Sequence, residues 1–362
     1  MLLLFYALMF LLIAGQYFFF YYQLIIINRK KTAQTRPHID INDVTILICV
    51  RNEYTNVLSN LPKLLNLSVN TTVIDDNSDD DTFPLLQQLV NENSNLKIWR
   101  KEFKRYTGKK EAFLFGISKI TTPFILCTDI DCLPKDNSWV NEMLKEMRPS
   151  TEIVLGYSPY IQKPGLLNKF IQYETLITGV QYMSFALAGI PYMGVGRNML
   201  IKISLFEHIN PYENNMDIPS GDDDILVNKF GTASNTRVTL DPKSFVYSEP
   251  KSTWTSYFRQ KRRHLSSSFV YKKSHVFLLS LFSALLVLSN LLPLVGFFIS
   301  FKATIIFLIL KWALMYGLMV PIADVFKSPL KLFELIFMEF LFAIYLVLFL
   351  PIILFSKKIS WK

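Results

Sequence analysis

The sequence predicts an α/β domain with a doubly wound, largely parallel sheet, flanked by transmembrane helices. Short apolar runs alternate with helical patterns over residues 44–127, and repeated strand-then-helix units are typical of a parallel sheet. Both ends of the chain are long and apolar, over residues 1–27 and after residue 273, and roughly 20 such residues are enough to cross a bilayer. A chain of 362 residues has room for one sizeable soluble domain and a few spans.

Residues 1–27 are predicted to form an N-terminal transmembrane helix, and residues 28–43 a linker. A signal peptide is the rival interpretation, but no basic segment precedes the apolar run and no small-residue cleavage site follows it. Residues 28–31 read Asn-Arg-Lys-Lys. Because basic residues favour the cytosolic side, we expect a multi-pass membrane protein whose domain over residues 44–268 is cytosolic, on the inner membrane if the protein is bacterial.

The C-terminal membrane region is predicted over residues 276–356. Its apolar segments, about three in number, cover residues 276–300, 303–322 and 332–356. Three spans would leave the basic tail at residues 357–358 outside, against the usual charge bias. One segment is therefore a candidate re-entrant or interfacial segment, with Pro293 or Pro321 at its break, and the number of spans stays open.

Three ionisable residues lie within or near these apolar segments: Lys311, Glu334 and Glu339. Charges at membrane depth are costly and usually face protein or a cavity. Snorkelling of the charged group from near the interface is the other explanation. The sequence leaves both open.

The net charge of +9 comes largely from lysines and arginines beside the apolar segments and around residues 97–110. Nucleic acid is one partner that a basic chain can bind. Beside membrane spans, however, anionic lipid head groups and a diphosphate substrate are the favoured explanation. We therefore expect a membrane partner and no nucleic acid. The three cysteines show no pairing pattern and are predicted to be reduced thiols.

The apolar pattern predicts each element of the soluble domain in turn. Residues 44–50 form a buried-strand run, and a helix to about residue 67 follows it. Further strands are predicted at residues 71–74, 96–99, 123–127 and 153–157, and further helices at residues 82–90 and 108–120. Two amphipathic helices come later, at residues 166–190, on the membrane surface or beneath the core, and at residues 254–268, at the interface.

Acidic motifs follow two of these strands, where open α/β sheets bind their ligands. A carboxylate of Asp75 or Asp76 can accept hydrogen bonds from a nucleobase or a ribose, although a helix-capping loop is the alternative. Asp129 and Asp131 can serve one ligand only if the chain turns there, which Pro134 and the polar cluster after it favour. Two carboxylates so placed bind Mg²⁺ or Mn²⁺ together with diphosphate oxygens. A solvated loop is the other interpretation of this pair.

A third acidic motif, Gly221-Asp222-Asp223-Asp224, concentrates three carboxylates in a turn. Like charges so close raise at least one pKa, and a general base for a sugar hydroxyl needs such tuning. Calcium binding is the rival interpretation, but the spacing matches a calcium loop only in part.

The motif Gln260-Lys261-Arg262-Arg263-His264 lies on the predicted interfacial helix. Its guanidinium groups could neutralise a departing diphosphate. A juxtamembrane polybasic patch is an equally good physical explanation.

In this order the motifs resemble the inverting family 2 glycosyltransferases with a GT-A fold, over roughly residues 44–268. The flanking spans are similar to those of the ceramide glucosyltransferase and polysaccharide synthase branches. The resemblance implies a nucleoside site made by Arg51, Glu53, Asp75 and Asp76. It also implies that Lys109 lies near the phosphates. It also implies the family's metal motif at Asp129 and Asp131.

By the same resemblance, Asp222-Asp223 matches the family's Glu-Asp pair, whose second member is the base. The basic motif is similar to Gln-x-x-Arg-Trp, with Arg263 at its arginine and Gln260 at its glutamine, and Arg262 beside the substrate. His264 stands where the family has the Trp that packs beside the acceptor sugar.

Two departures from the family pattern, His264 in place of Trp and a C-terminal region that is small for a polysaccharide channel, favour one transfer over processive synthesis. The expected function is the inverting transfer of a sugar, from a UDP-sugar, to a lipid or lipid-linked hydroxyl, with Mg²⁺ or Mn²⁺ as cofactor. A processive polysaccharide synthase is the alternative within the family. A nucleotide-binding membrane sensor is the alternative from another class, and it leaves the need for both a metal motif and a base unexplained.

Overall fold

The computed structural model describes residues 2–28, 38–207 and 210–355. Its strands are β1 (Val44–Val50), β2 (Asn70–Asp75), β3 (Leu96–Arg100), β4 (Phe124–Cys127), β5 (Cys132–Pro134), β6 (Ile153–Leu155), β7 (Met199–Lys202), β8 (Thr236–Val238) and β9 (Val246–Ser248). Its helices are α1 (Leu2–Asn28), α2 (Tyr54–Leu65), α3 (Thr82–Glu92), α4 (Lys110–Ile117), α5 (Trp139–Leu144), α6 (Leu166–Leu187), α7 (Asp224–Phe230), α8 (Trp254–Leu265), α9 (Lys273–Ile299), α10 (Phe301–Val325) and α11 (Leu332–Phe355).

Seven strands form one sheet in the order β3-β2-β1-β4-β7-β6-β8. β1 pairs in parallel with β2 and β4, and β2 pairs in parallel with β3, so the predicted doubly wound α/β sheet is confirmed. β7 runs antiparallel to both of its neighbours, β4 and β6, which the sequence pattern did not predict. β5 and β9 form a small second sheet.

The first strand explains why this sheet is covered on both faces. Ile46 and Ile48 pack with Val57 of α2 on one face, whereas Leu47 packs with Ala112 of α4 on the other. Because side chains alternate along a strand, a continuous apolar run needs an apolar layer on each side. Ligands of such a sheet bind beyond the carboxyl ends of its parallel strands.

The helices α1, α9, α10 and α11 form what we call the apolar bundle. Each is long and apolar enough to cross a membrane, by length and composition. Pro293 and Pro321 lie inside α9 and α10, which continue past them, so neither proline breaks its helix. The basic residues at 29–31 and 357–358, on which the expected orientation rests, lie outside the described residues.

A buried polar cluster, made by Gln16, Asn290, Lys311 and Glu339, ties the four helices of the apolar bundle together. The Nζ of Lys311 lies 3.6 Å from Oε1 of Glu339, and only 1% and 2% of these side chains are exposed. Gln16 donates a hydrogen bond to the same oxygen, as does Asn290 over 3.1 Å. Lys311 also donates to Oδ1 of Asn290 over 2.6 Å. Both ionic side chains therefore face protein rather than snorkel.

Glu334 behaves differently from this pair. Its Oε1 forms an ion pair with Nζ of Lys169 of α6 at 2.7 Å, and 47% of that lysine side chain is exposed. The pair therefore lies at the outer edge of the apolar bundle, where water can reach it.

The helix α6 joins the sheet to the apolar bundle, with contacts to both α1 and α11. Of the two placements predicted for residues 166–190, the one beneath the core is observed. Tyr173 packs against Phe342 of α11, with ring centroids 5.8 Å apart. The next residue, Glu174, is paired with Lys261 of α8 over 2.6 Å. Adjacent residues of one helix thus contact the bundle and α8.

Sheet and bundle share one hydrophobic core. The ring of Tyr157, just after β6, meets the ring of Phe326, just after α10, at 4.9 Å between centroids. Buried residues of α1, α10 and α11 belong to the same apolar cluster as those of β1 and β4. The carboxyl edge of the sheet is therefore fixed relative to the four apolar helices.

Candidate active site

Three loops meet at the carboxyl edge of the sheet. Val50 lies opposite Asp75 across the β1–β2 pair, and Leu47 lies opposite Cys127 across the β1–β4 pair. Residues that follow these strands are therefore neighbours, although they are far apart in the chain. Arg51, the acidic pair after β2 and the motif after β4 all come from this edge.

The acidic pair Asp75-Asp76 is buried, and its two side chains have different partners. Oδ2 of Asp75 lies 3.5 Å from Nε of Arg100 and accepts from the backbone N–H of Ser78 over 3.2 Å. Oδ2 of Asp76 contacts Lys104. Burial raises the pKa of Asp76. The other oxygen of each carboxylate is buried without a hydrogen-bond partner in the described part of the chain, as expected where a ligand donates.

The two predicted nucleoside residues after β1, Arg51 and Glu53, have different surroundings. The guanidinium of Arg51 lies 4.0 Å from the carboxylate of Asp79, and its charge lowers the pKa of Asp76 against the effect of burial. Glu53 accepts a hydrogen bond from Asn56 over 2.6 Å, one helical turn further along α2. Arg51 therefore faces the acidic pair, whereas the Glu53 carboxylate is held by its own helix.

The predicted metal motif is assembled by a turn directly after β4. The backbone N–H of Cys132 donates to the carbonyl of Asp129 over 3.1 Å, and the ligand atoms of Asp129, Asp131 and Cys132 lie within 4.8 Å of one another. The turn precedes Pro134, which belongs to β5 rather than to the turn. Both carboxylates can thus serve one ligand.

The donor set of this motif suits a hard divalent cation. Carboxylate oxygens are the ligands that Mg²⁺ and Mn²⁺ prefer, and two of them leave coordination positions for substrate oxygens. Burial raises the pKa of the Cys132 thiol, so the thiol stays protonated and is a poor ligand. Asp129 contacts Lys109; burial raises the pKa of this carboxyl, but the ammonium outweighs burial and the pKa is lowered.

The carboxylate of Asp223 lines the same site as Lys109. Its Oδ2 accepts from the N–H of Gly196 over 2.6 Å and its Oδ1 accepts from the N–H of Asp224 over 2.8 Å. Burial and the neighbouring charge of Asp222 raise the pKa of Asp223 to about 6. Asp222 and Asp223 line one small cavity with Lys109. This tuning matches the requirements of a general base near neutral pH.

The third carboxylate of this motif has a structural environment. Asp224 is buried at the start of α7 and accepts a hydrogen bond from Ser267 over 2.9 Å. Burial raises its pKa well above the usual value. Among the described residues, the group that could jointly hold a cation is the one at 129–132, so calcium binding at residues 222–224 has no support.

The basic motif on α8 lies near Tyr160 and the metal motif. Gln260 donates to the hydroxyl of Tyr160 over 3.4 Å, and the charge of Arg263 lowers the pKa of Asp129. Arg262 and His264 are half-buried on the same helix, and burial lowers the pKa of His264. The helix therefore brings its glutamine and one arginine towards the metal motif.

Sequence reasoning missed one residue of the site, Arg197. The run Tyr-Met-Gly-Val-Gly-Arg at residues 192–197 was interpretable only as a glycine turn before a strand. In the structure, its guanidinium donates to the carbonyl of Ser158 over 2.9 Å and lies over the ring of Tyr160 at 4.8 Å. A cation next to a glycine turn at a strand's start is the signal that was available.

Residues 45–209 match the family model for glycosyl transferase family 2. The chain is similar to a mannosyltransferase from Pyrobaculum calidifontis, solved in complex with GDP-Man and Mn²⁺, with a TM-score of 0.62, 14% identity and 99% of each chain covered. It is also similar to glucosyl-3-phosphoglycerate synthase from Mycobacterium tuberculosis, with a TM-score of 0.42, 13% identity, and 67% of this chain and 88% of that chain covered. A comparison with curated proteins gave no match.

The likeness to the mannosyltransferase extends over the sheet and the four apolar helices, because it covers almost the whole of both chains. At this level of identity it shows a common fold, the GT-A fold with added apolar helices. The family match covers the loops after β1 and β2, the predicted metal motif and the turn that holds Arg197. Residues 45–209 therefore match a glycosyl transferase family 2 domain, and this match supports a glycosyltransferase.

Proposed function

We propose that this protein is a membrane-bound, inverting glycosyltransferase of single transfer. It moves a sugar from a nucleotide-diphosphate donor, a UDP-sugar by the resemblance of its motifs, to the hydroxyl of a lipid or lipid-linked acceptor. One observation carries the proposal above all others. A carboxylate with a pKa raised to about 6, Asp223, lines one cavity with Lys109, whose ammonium contacts Asp129 of the acidic metal motif.

The donor end of the proposed site lies between the loops after β1, β2 and β4. The unpartnered oxygens of Asp75 and Asp76 would accept from the nucleobase or ribose, with Arg51 beside them. Asp129 and Asp131 would hold Mg²⁺ or Mn²⁺, which when bound screens the charge of the diphosphate.

The chemical step is assigned to the wall formed by the motif at residues 222–224 and α8. Asp223 removes the proton of the acceptor hydroxyl as the hydroxyl oxygen attacks the anomeric carbon from the face opposite the diphosphate. This in-line displacement inverts that carbon. Arg263 stabilises the departing diphosphate, and Gln260, through Tyr160, fixes the face of α8 that meets the substrate.

A lipid acceptor is supported by the surroundings of α8. Phe258, on the helix that carries the basic motif, stacks against Phe349 of α11 with ring centroids 5.2 Å apart. Trp254, at the start of that helix, is 38% exposed. A head group would thus reach the site while its acyl chains stay beside the apolar bundle, where burial of apolar surface contributes much of the binding free energy.

The experiment that tests this function uses the full chain in lipid nanodiscs with Mn²⁺. A panel of radiolabelled UDP-sugars and GDP-sugars is supplied together with a membrane lipid extract. We expect one donor to yield label that extracts into organic solvent, as a glycolipid with one added sugar. Label in long water-soluble polymer would establish the processive synthase instead. Nucleotide binding without release of nucleoside diphosphate from any donor would favour the sensor.

A further inference from the structure

We propose that Arg197 is a further substrate-binding residue, a guanidinium that contacts the donor diphosphate together with Arg263. This inference rests on the proposed function for the donor class. It concerns a residue outside the four acidic and basic motifs.

The position of Arg197 is set by the residue on each side of it. The N–H of Gly196 donates to the carboxylate of Asp223 over 2.6 Å, and a Cβ at Gly196 would lie only 3.2 Å from that carboxylate oxygen. Asn198 is fully buried, donates through Nδ2 to the carbonyl of Ser244 over 2.8 Å and accepts from Trp139 over 2.9 Å. Asn198 thus anchors the turn in the core, and Gly196 joins the turn to the proposed base, Asp223.

The side chain of Arg197 points along the segment beside the metal motif. It donates to the carbonyl of Ser158, and Tyr160 of the same segment forms a β-bridge with Ser248. Ser248 in turn pairs with Cys132 at the end of the metal motif. The guanidinium is therefore adjacent to the loop that presents the metal-binding carboxylates.

The environment of this guanidinium is incomplete within the described part of the chain. Its partners are a backbone carbonyl, the face of an aromatic ring and, over 3.5 Å, the hydroxyl of Tyr160. Asp129 and Asp131 partly compensate its charge, but among the described residues neither lies within ion-pair distance of it, and its Nε is buried without a hydrogen-bond partner. Arg197 is itself half-buried. It therefore has an N–H donor left for an anionic ligand.

The chemistry of the neighbourhood selects a diphosphate as that anion. Lys109, the other cation beside the metal motif, already contacts the carboxylate of Asp129. Guanidinium groups present paired N–H donors that match phosphate oxygens. Arg263 on α8 and Arg197 before β7 would then both contact the departing diphosphate. One turn would fix both the base and a leaving-group contact.

The test measures nucleotide affinity of the full chain in nanodiscs with Mn²⁺, by titration calorimetry, using UDP, GDP, UMP and GMP. In Arg197→Gln we expect the affinity for the bound diphosphate to fall at least about tenfold, and that for the matching monophosphate to change less than about twofold. Arg197→Lys keeps the charge but loses the paired N–H donors, so its diphosphate affinity should lie between those of the wild type and Arg197→Gln. The thermal unfolding midpoint of each variant is recorded beside its affinity.

Arg148→Lys is the matched control. Arg148 is a buried arginine that donates to the backbone carbonyls of Lys145 and Met147, away from the site, so both affinities should stay at wild-type values. An unchanged diphosphate affinity in Arg197→Gln, or an equal loss for both nucleotides, would overturn the assignment. If Arg197→Gln does not fold, the same comparison in Arg197→Lys decides. Wild-type protein that binds neither diphosphate would instead refute the proposed donor class.

Discussion

Two regions of this molecule place a lysine beside a buried carboxylate, and the rest of their surroundings differs. In the apolar bundle, Lys311 and Glu339 are enclosed by amide groups that donate to the carboxylate and accept from the ammonium. At the sheet edge, Lys109 contacts Asp129, but neighbouring polar atoms lack partners among the described residues. A satisfied polar network fixes helices in one arrangement, whereas unsatisfied polar atoms indicate a ligand.

The largest expected effect is at Asp223, the proposed base of the sheet-edge site. Asp223→Asn keeps the shape of the side chain but removes proton acceptance, so sugar transfer should fall at least about a thousandfold. Donor binding should stay near normal, because only the transition state needs proton removal. Transfer and donor affinity are measured on the same nanodisc preparation. An inactive Asp222→Asn beside an active Asp223→Asn would show that the base is the other aspartate.

The second test concerns the metal motif. Asp131→Asn removes one carboxylate charge at an exposed position of the site, so metal-dependent turnover should fall about a hundredfold. Turnover is measured over a range of Mn²⁺ concentrations and again with excess chelator. Full activity of the wild type in chelator would contradict metal dependence, and undiminished turnover of the variant would contradict the role of Asp131.

The bundle pair should affect stability rather than chemistry. Glu339→Gln leaves the Lys311 ammonium buried and uncompensated, so the free energy of unfolding should fall by about 3 kcal/mol. Exchanging both residues, Lys311→Met with Glu339→Gln, should cost less than the two single changes added together. The free energy of unfolding is measured in mixed micelles by raising the fraction of a denaturing detergent.

The outer pair supplies the control for this prediction. Glu334→Gln breaks the contact with the half-exposed Lys169, and water compensates both groups, so the expected loss is below about 1 kcal/mol. Equal losses in Glu334→Gln and Glu339→Gln would mean that burial of the Lys311–Glu339 pair has no energetic consequence.

The smallest expected effect is the pH dependence of transfer. Asp223 must be ionised to accept a proton, and its pKa of about 6 lies above that of an ordinary carboxyl. The value of kcat/KM should therefore fall about tenfold for each pH unit below that value and level off above it. Removing the neighbouring charge in Asp222→Asn should move the descending limb to lower pH. A profile flat down to pH about 4 would contradict the assignment.

The sequence was sufficient where the position of a residue follows from local pattern. Asp75, Asp129 and Asp131 follow apolar strands, so their meeting at one edge could be inferred from strand order alone. Arg197 could not be assigned in this way, because its surroundings depend on Ser158 and on the β5–β9 pair, which come together only in the fold. The same reason applies to the antiparallel β7, whose direction depends on long-range pairing rather than on its own residues.

The shared core described above has a practical consequence for handling the protein. Because Tyr157 rests on Phe326 and α6 packs between the sheet and α1, a chain cut before residue 273 would expose the apolar side of the catalytic half to water. Such a fragment should aggregate rather than behave as a soluble enzyme. Lipid or detergent around the four helices should thus help to keep the proposed sugar-transfer site in shape, and activity should vary with the amphiphile chosen for purification.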